Sequence, residues 1–382
     1  MRLPLKIAYI TVVHSLHDHR FLYKQCGGLA EKGYQIDYYV QHEREENING
    51  VNIKPINVPT NRVLRFIKSF ALFGKIWGKY DAVHLVDPEL LPLGILIKMS
   101  SRTKVVFDAH EDYVNFMYYK HYLPRWIRGV FSVLMKGLIR ISGFVLDGFV
   151  FADIKTADDY KIKEEKKVFF YNFPCKTLFT DSIKNWDERT YELVFLGSMS
   201  RTSGIFVVLE SIVKLKKQFT DIKALFIGRP GDEIKKQVQR FIEVNKITSN
   251  IHFTGRIAHG NVPELLQDCK IGLIALLNIP KFHKNIATKT FEYMASGIPV
   301  VSADLPPERR FLVENETAKF FKPGDADALA KCAGDILSNN QLGIQMQKNC
   351  LDTMNKQNYY TENQVDNLAA FYDELLNQES RR

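Results

Sequence analysis

Short apolar strands alternate with helical stretches along the whole chain, and that alternation restricts the fold more than any other feature. KIAYITVV, QIDYYV, VNIKPINV, AVHLVD and KVVFDAH come first, then GFVFA and KVFFYN. After a break follow ELVFLGS, KALFIG, IHFTG, IGLIAL, IPVVSAD and TAKFFK. Many of these are near-continuous runs of Val, Ile, Leu and Phe, the composition of strands buried on both faces in parallel sheets covered by helices. The pattern predicts an α/β chain of repeated βα units. Its 382 residues exceed one ordinary core and suit two domains with a cleft between them. The seam is expected in YNFPCKTLFTDSIKNWDERTYE, residues 171–192, which is polar, contains a proline and lacks helical periodicity. Each half is then a doubly wound domain, in which ligands bind beyond the carboxyl ends of strands.

Several classes are disfavoured. The opening MRLPLKIAYITVV is interrupted by Lys6 and no small-residue cleavage site follows before HSLHDHR, so it reads as a first strand, not a signal peptide. The five cysteines are scattered, without CxxC or His-paired spacing, which predicts reduced thiols in a cytoplasmic protein. The net charge of +9 is uneven: residues 1–173 hold 25 Lys and Arg against 18 Asp and Glu. Two windows, 47–80 and 113–146, contain no acid at all. RVLRFIKSFALFGKIWGKY and YLPRWIRGVFSVLMKGLIR mix cations with aromatic and long apolar side chains, the build of an interfacial helix. Two readings stay open: peripheral binding to an anionic membrane surface, or basic surface helices with ordinary core faces. No uncharged apolar run reaches about 18 residues, so no spanning helix is expected. Nucleic-acid binding would rest on charge alone, without a recognition motif, and no such partner is expected.

The second half holds the stronger chemistry. ELVFLGSMSRTSGIF is a strand, a turn at Gly197 and a small polar loop opening a helix, an arrangement whose backbone N–H groups can hold a phosphate, with Arg201 as counter-charge. KALFIG ends at Gly228 followed by Arg229, and IHFTG ends at Gly255 followed by Arg256. Three such strand ends suggest an anionic ligand such as a diphosphate; the competing reading is solvent-facing arginines on loops. In KTFEYMASGIPVVSADLP, the spacing of Phe291, Met294, Ala295 and Ile298 predicts a buried helix face stopped at Gly297, followed by an interior strand. Glu292 sits at that seam, where a carboxylate can accept two hydrogen bonds from vicinal ribose hydroxyls. Lys289 can add charge toward the diphosphate, or simply pair with Glu292 along the helix.

In the first half, HSLHDHR and DAHEDY follow strands. His14, His17, Asp18, His19 and Arg20 look metal-like, but adjacent loop residues rarely form one coordination sphere, and no metal is expected. Both loops are expected to cap the cleft, with His110 and Asp18 orienting a sugar or acceptor hydroxyl, and with DPELLP, residues 87–92, buttressing that face.

Together these segments resemble the family 4 retaining glycosyltransferases of the two-Rossmann GT-B architecture. The resemblance runs through HSLHDHRFLYKQCGGLAEKGY, FDAHEDY, YNFP, FLGSMSRTSG, HFTGRI with VPELLQDCKIGLIAL, KTFEYMASGIPVVSADLPPERRFL and FKPGDADALA. It implies two doubly wound Rossmann-like domains whose parallel sheets face a central cleft. Residues 1–173 would bind acceptor and residues 174–360 the nucleotide-sugar donor, with a carboxy-terminal helix from about 360 to 382 packing back on the first domain. By position, Glu292 would hold ribose, Arg201 and Lys289 would neutralise the diphosphate, and Arg256 would line the base. His110 would face the reacting sugar. Gly197, Ser198, Gly228, Arg229, Lys284 and Thr290 would complete the donor site, and His14, Asp18, Arg20, Asp87 and Glu111 the acceptor side. Two departures stand out: Lys284 lies where many members carry a glutamate, and Ser203 where many carry a basic residue. The implied reaction is retaining transfer of a hexose-type sugar from a nucleoside diphosphate, UDP or GDP, to a hydroxyl of a lipid-linked envelope glycan at the inner face of the plasma membrane. No cofactor or metal is implied. The alternatives are an epimerase or phosphorylase of the same fold, or a non-catalytic glycan-binding scaffold.

Overall fold

A computed structural model describes residues 4–116, 124–179, 183–284 and 286–377. The chain divides into two compact units, Met1–Asn172 with Thr361–Arg382, and Phe173–Tyr360.

The first unit is built on an eight-stranded sheet of β1 (Lys6–Ile10), β2 (Gln35–Gln41), β3 (Glu46–Ile48), β4 (Val51–Ile56), β5 (Ala82–Leu85), β6 (Lys104–Ala109), β7 (Gly148–Phe151) and β8 (Lys167–Phe169). Their order is β3-β4-β2-β1-β5-β6-β7-β8, parallel throughout except for the β3–β4 hairpin. Successive side chains of a strand point to opposite faces, and here both faces are covered. Ala8 and Ile10 of β1 join one apolar cluster with Leu91, Leu93 and Ile97 of helix α1 (Leu91–Ser100). Ile7 and Tyr9 join the other, which contains Val365, Leu368 and Tyr372 of the terminal helix α3 (Thr361–Asn377). A nine-residue π-helix, His19–Gly27, follows β1, and helix α2 (Lys289–Ala295) belongs to the second unit.

The second unit has six strands, β9 (Tyr191–Leu196), β10 (Ala224–Ile227), β11 (Ile251–Gly255), β12 (Cys269–Ile274), β13 (Val300–Ala303) and β14 (Ala318–Phe321). Their order is β11-β10-β9-β12-β13-β14, all parallel. In each sheet the winding reverses once, between β1 and β5 in the first and between β9 and β12 in the second. Such reversal points open a crevice beyond the carboxyl ends of the two strands. The apolar helix face read from the sequence is present: Phe291, Met294, Ala295 and Ile298 are at most 1 % exposed.

Candidate active site

At the reversal point of the second unit, the loop after β9 is pressed onto the chain leaving β12. A Cβ at Gly204 would stand 1.8 Å from the Ala275 carbonyl oxygen, so only glycine fits there. The Leu277 amide donates to the Thr202 carbonyl at 3.0 Å, tying the same two segments. The β10 end also closes in: a Cβ at Gly228 would lie 2.6 Å from the Gly197 carbonyl oxygen. Ser203, in the position where the resemblance expects a cation, is buried and locks the loop by accepting from the Ser200 amide at 2.8 Å and donating to the Ser200 carbonyl at 2.9 Å. Gly197 and Ser198 are exposed at the loop's start.

Helix α2 supplies the groups facing this loop. Tyr293 fastens it to β9, its hydroxyl accepting from the Leu196 amide at 2.9 Å. Lys289 lies beside it, partly buried, with its ammonium donating to the Leu196 carbonyl at 3.0 Å and sitting 4.4 Å from the Phe195 ring centroid. Burial pushes its pKa down to about 8, and the nearby Glu308 and Glu292 carboxylates oppose that shift only in part. Glu292 is 14 % exposed and its Oε1 meets His259 Nε2 at 2.8 Å. The intrahelical Lys289–Glu292 ion pair offered by the sequence is therefore not formed; each side chain has a partner on another element. Thr290 is corrected more sharply. It is fully buried, and its hydroxyl donates to Glu308 Oε2 at 2.9 Å.

The arginines are looser. Arg201 is exposed, bonded to Gln237 and stacked 5.1 Å from the Phe206 ring centroid. Arg229 is exposed, 3.6 Å from Asp232. Arg256 is exposed and has no ion pair among the described residues. Lys284 is partly buried, five residues before the start of α2.

Sequence reading missed two members of this group. Glu308, in PPERRFL, is 1 % exposed and accepts from the Ala287 amide at 3.1 Å as well as from the Thr290 hydroxyl, so it ties down the chain entering α2. Burial raises its pKa to about 7, against its two donors and Lys289. His259 stands in the RIAHGN loop after β11. An acid behind two prolines and a lone loop histidine were the available signals.

The reversal point of the first unit gathers a different set. Asp87 Oδ2, just beyond β5, accepts from Thr11 Oγ1 at 2.8 Å and from the Val12 amide at 2.6 Å, bridging the ends of β5 and β1. His14 Nδ1 lies 3.1 Å from Asp18 Oδ2 and His14 Nε2 lies 3.6 Å from Asp87 Oδ1. Burial works against charge on this imidazole, but the two carboxylates outweigh it and raise its pKa. Asp18 also caps the π-helix, accepting from the Arg20 and Phe21 amides. His110 stands edge-on to His14 with ring centroids 5.0 Å apart, and its Nδ1 is 3.4 Å from Asp108 Oδ1.

Arg20 is the correction here: it faces inward, 8 % exposed, donating to both Asp108 oxygens at 3.2 Å and to the Phe170 carbonyl at 2.6 Å. Asp108 is wholly buried and also receives Gln25 Nε2 at 2.8 Å, with His84 Nε2 3.6 Å away. Burial opposes its ionisation, yet Arg20, His110 and His84 hold it well below the ordinary carboxylate range. Glu111 is exposed and engages Tyr113 and Tyr160 through its backbone carbonyl.

A cavity of about 1070 Å³ opens beside His14, bounded by Ser15, Gln41, His42, Glu43 and Asn57 among others. A second, of about 290 Å³, shares Ile56 and Asn57 with it and carries Arg65, Lys68 and Lys75. Beside the second cavity the helix Arg62–Ser69 leaves Val63, Leu64 and Ile67 more than half exposed; elsewhere in the unit the helix Arg125–Val145 leaves Val133, Leu134 and Phe144 so. Lys120, within the second acid-free window, lies outside the described residues. Among the described residues no helix is long and apolar enough to cross a membrane, and no cluster of three His, Cys, Asp or Glu side chains is arranged around a metal position.

Comparison with known proteins gives these features a context. Residues 179–353 match the family Glycosyl transferases group 1. A phosphatidyl-myo-inositol mannosyltransferase of Mycolicibacterium smegmatis is 26 % identical over 269 residues, 69 % of this chain and 64 % of that protein's length. Among solved structures, HepE of Anabaena in complex with UDP superposes with a TM-score of 0.73 at 12 % identity, covering 97 % of this chain and 100 % of that one. Sucrose-phosphate synthase of Thermosynechococcus elongatus gives 0.73 at 15 %, covering 97 % and 99 %. The sheets, their winding and the matched segment agree: this chain has the GT-B fold, and its residues 179–353 match the group 1 glycosyl transferases.

Proposed function

We propose that the chain is a retaining glycosyltransferase moving a sugar from a nucleoside diphosphate to a hydroxyl of a lipid-linked acceptor. The observation carrying this reading is the grouping of Lys289 and Glu292 on one short helix, Lys289 bonded to the end of β9 and Glu292 to the segment after β11. Glu292 serves the ribose, and Lys289 lies toward the diphosphate with Arg201 and Arg229 on the flanking loops. Charge develops on the departing diphosphate as the glycosidic bond breaks, so donors fixed in advance lower the barrier. Those cations are held by uncharged partners or by weak ion pairs, which leaves them able to take a stronger anion. On this reading the reaction needs no divalent metal, because lysine and arginine supply the counter-charge, and EDTA leaves turnover unchanged.

A lipid acceptor is supported by the exposed apolar side chains beside Lys68 and Lys75, and by the mannosyltransferase relative, whose name specifies phosphatidyl-myo-inositol. On this reading the cavity at His14 takes the hydroxyl-bearing portion. We place the enzyme peripherally on an anionic inner membrane surface.

The test is a panel of UDP- and GDP-sugars scored by thermal stabilisation. One donor raises the melting temperature in wild type, because a ligand that binds only the folded state stabilises it. Glu292→Ala diminishes the rise, and product NMR shows the anomeric configuration kept. A panel without any stabilising nucleotide overturns the assignment, and an inverted product overturns the stereochemical part.

A further inference from the structure

Glu292 is not a lone carboxylate waiting for a ligand. One oxygen, Oε1, is engaged by His259 Nε2 at 2.8 Å, while Oε2 takes no hydrogen bond among the described residues. The carboxylate is 14 % exposed and the imidazole 32 %, so the pair sits at the surface with its contact half shielded from water. A glutamate side chain has three rotatable bonds, and a second anchor on a different element removes most of that freedom before a ligand arrives.

His259 does not belong to helix α2. It lies four residues past Gly255, the end of β11, on a short turn of residues 259–261 that opens with the Asn261 amide donating to the Ala258 carbonyl at 3.0 Å. Arg256 is three residues earlier on the same segment. The hydrogen bond therefore joins two separate elements: the segment after β11 and the helix bearing Lys289 and Glu292.

We infer that His259 is a positioning residue for ribose recognition, holding Glu292 Oε1 so that Oε2 is aimed at a ribose hydroxyl and coupling the β11 segment to helix α2. This rests on the proposed role of Glu292. The imidazole acts through the carboxylate and need not touch the nucleotide. Its removal should cost the enzyme its preference for ribose over deoxyribose while leaving the rest of the nucleotide's contacts in place. A hydrogen bond to a charged group is worth enough that the loss should be about tenfold in affinity.

The experiment compares UDP and GDP with their 2′-deoxy and 3′-deoxy forms by titration calorimetry on the full chain, in wild type, His259→Ala, His259→Gln and Glu292→Ala. Gln is chosen because its Nε2 can replace the imidazole donor. The expected result is weakening of the ribonucleotide by about tenfold in His259→Ala, little change for a deoxy form that lacks the recognised hydroxyl, and restoration in His259→Gln. Glu292→Ala should lose the same discrimination, and adding His259→Ala to it should cost nothing more. If Glu292→Ala loses ribose discrimination but His259→Ala keeps it, the positioning role is overturned and the ribose reading stands. If Glu292→Ala leaves both forms bound equally to wild type, the ribose reading falls and takes this inference with it. Should His259→Ala be poorly folded, Gln remains decisive against His259→Leu, which keeps volume but has no donor: equal discrimination in the two overturns the proposal.

Discussion

The two reversal points of this chain use charge in opposite ways. In the first unit Arg20, Asp108, His84 and His110 are mutual partners in the interior, each compensating another. In the second, the Lys289 ammonium faces a backbone carbonyl and an aromatic ring, Arg201 faces an amide and a ring, and Arg256 has no ion pair among the described residues. A closed network of charges holds a shape. A set of cations with neutral partners keeps attraction in reserve for an anion, and that contrast separates scaffold from binding surface more clearly than residue type does.

The contrast breaks first at Asp108. Asp108→Ala leaves Arg20 buried without its carboxylate and should destabilise the fold by about 3–5 kcal/mol, whereas Arg201→Ala should change it by no more than about 0.5 kcal/mol. Urea denaturation of the two variants measures both, and equal losses would erase the distinction.

Glu308 sharpens it through pH. Its folded pKa, raised to about 7 from an ordinary 4.5, means that the folded protein binds the proton more tightly. The stability it contributes is complete below the ordinary value and is lost as pH rises through about 7, a change on the order of 3 kcal/mol. Lys289 acts with the opposite sign: lowered to about 8 from 10.5, it lets stability recover as pH rises from there toward its ordinary value. Glu308→Gln should flatten the lower limb and, by removing a carboxylate that favours the Lys289 ammonium, move the upper limb to lower pH, read from melting temperature against pH.

Lys289→Met gives the smallest of the three effects. It should weaken nucleoside diphosphate binding by about tenfold near pH 7, without loss of stability, because a poorly solvated ammonium is replaced by an apolar chain of similar length. In wild type the affinity should fall as pH rises past about 8 and the ammonium discharges, and in the variant that slope should vanish. Calorimetric titration at several pH values checks both.

How much of this was readable in advance follows from the range of each interaction. The alternation of strands and helices and the buried face of α2 are local patterns, and they predicted the α/β fold and its parallel sheets. Pairing across the chain is not local. The resemblance puts Arg20 on the acceptor side, yet its partner is 88 residues away. Thr290 reads as a site hydroxyl until Glu308, 18 residues on, folds beneath it. His259 carries no flanking pattern that would single it out, since only the three-dimensional return of α2 brings it within 2.8 Å of Glu292. Sequence spacing thus identified where charged side chains cluster, while their direction depended on partners no window could contain.

Tyr372 of helix α3 donates or accepts a hydrogen bond at 2.6 Å with His84 Nδ1, the imidazole that stands behind Asp108. That contact joins a unit whose earlier part ends at Asn172 to a helix starting at Thr361. During synthesis at about 5–20 residues per second, the ribosome needs on the order of 10–40 s to make the intervening stretch. For that interval the nascent first unit carries its polar heart uncapped, while Phe173–Tyr360 emerges whole and is free to mature ahead of it.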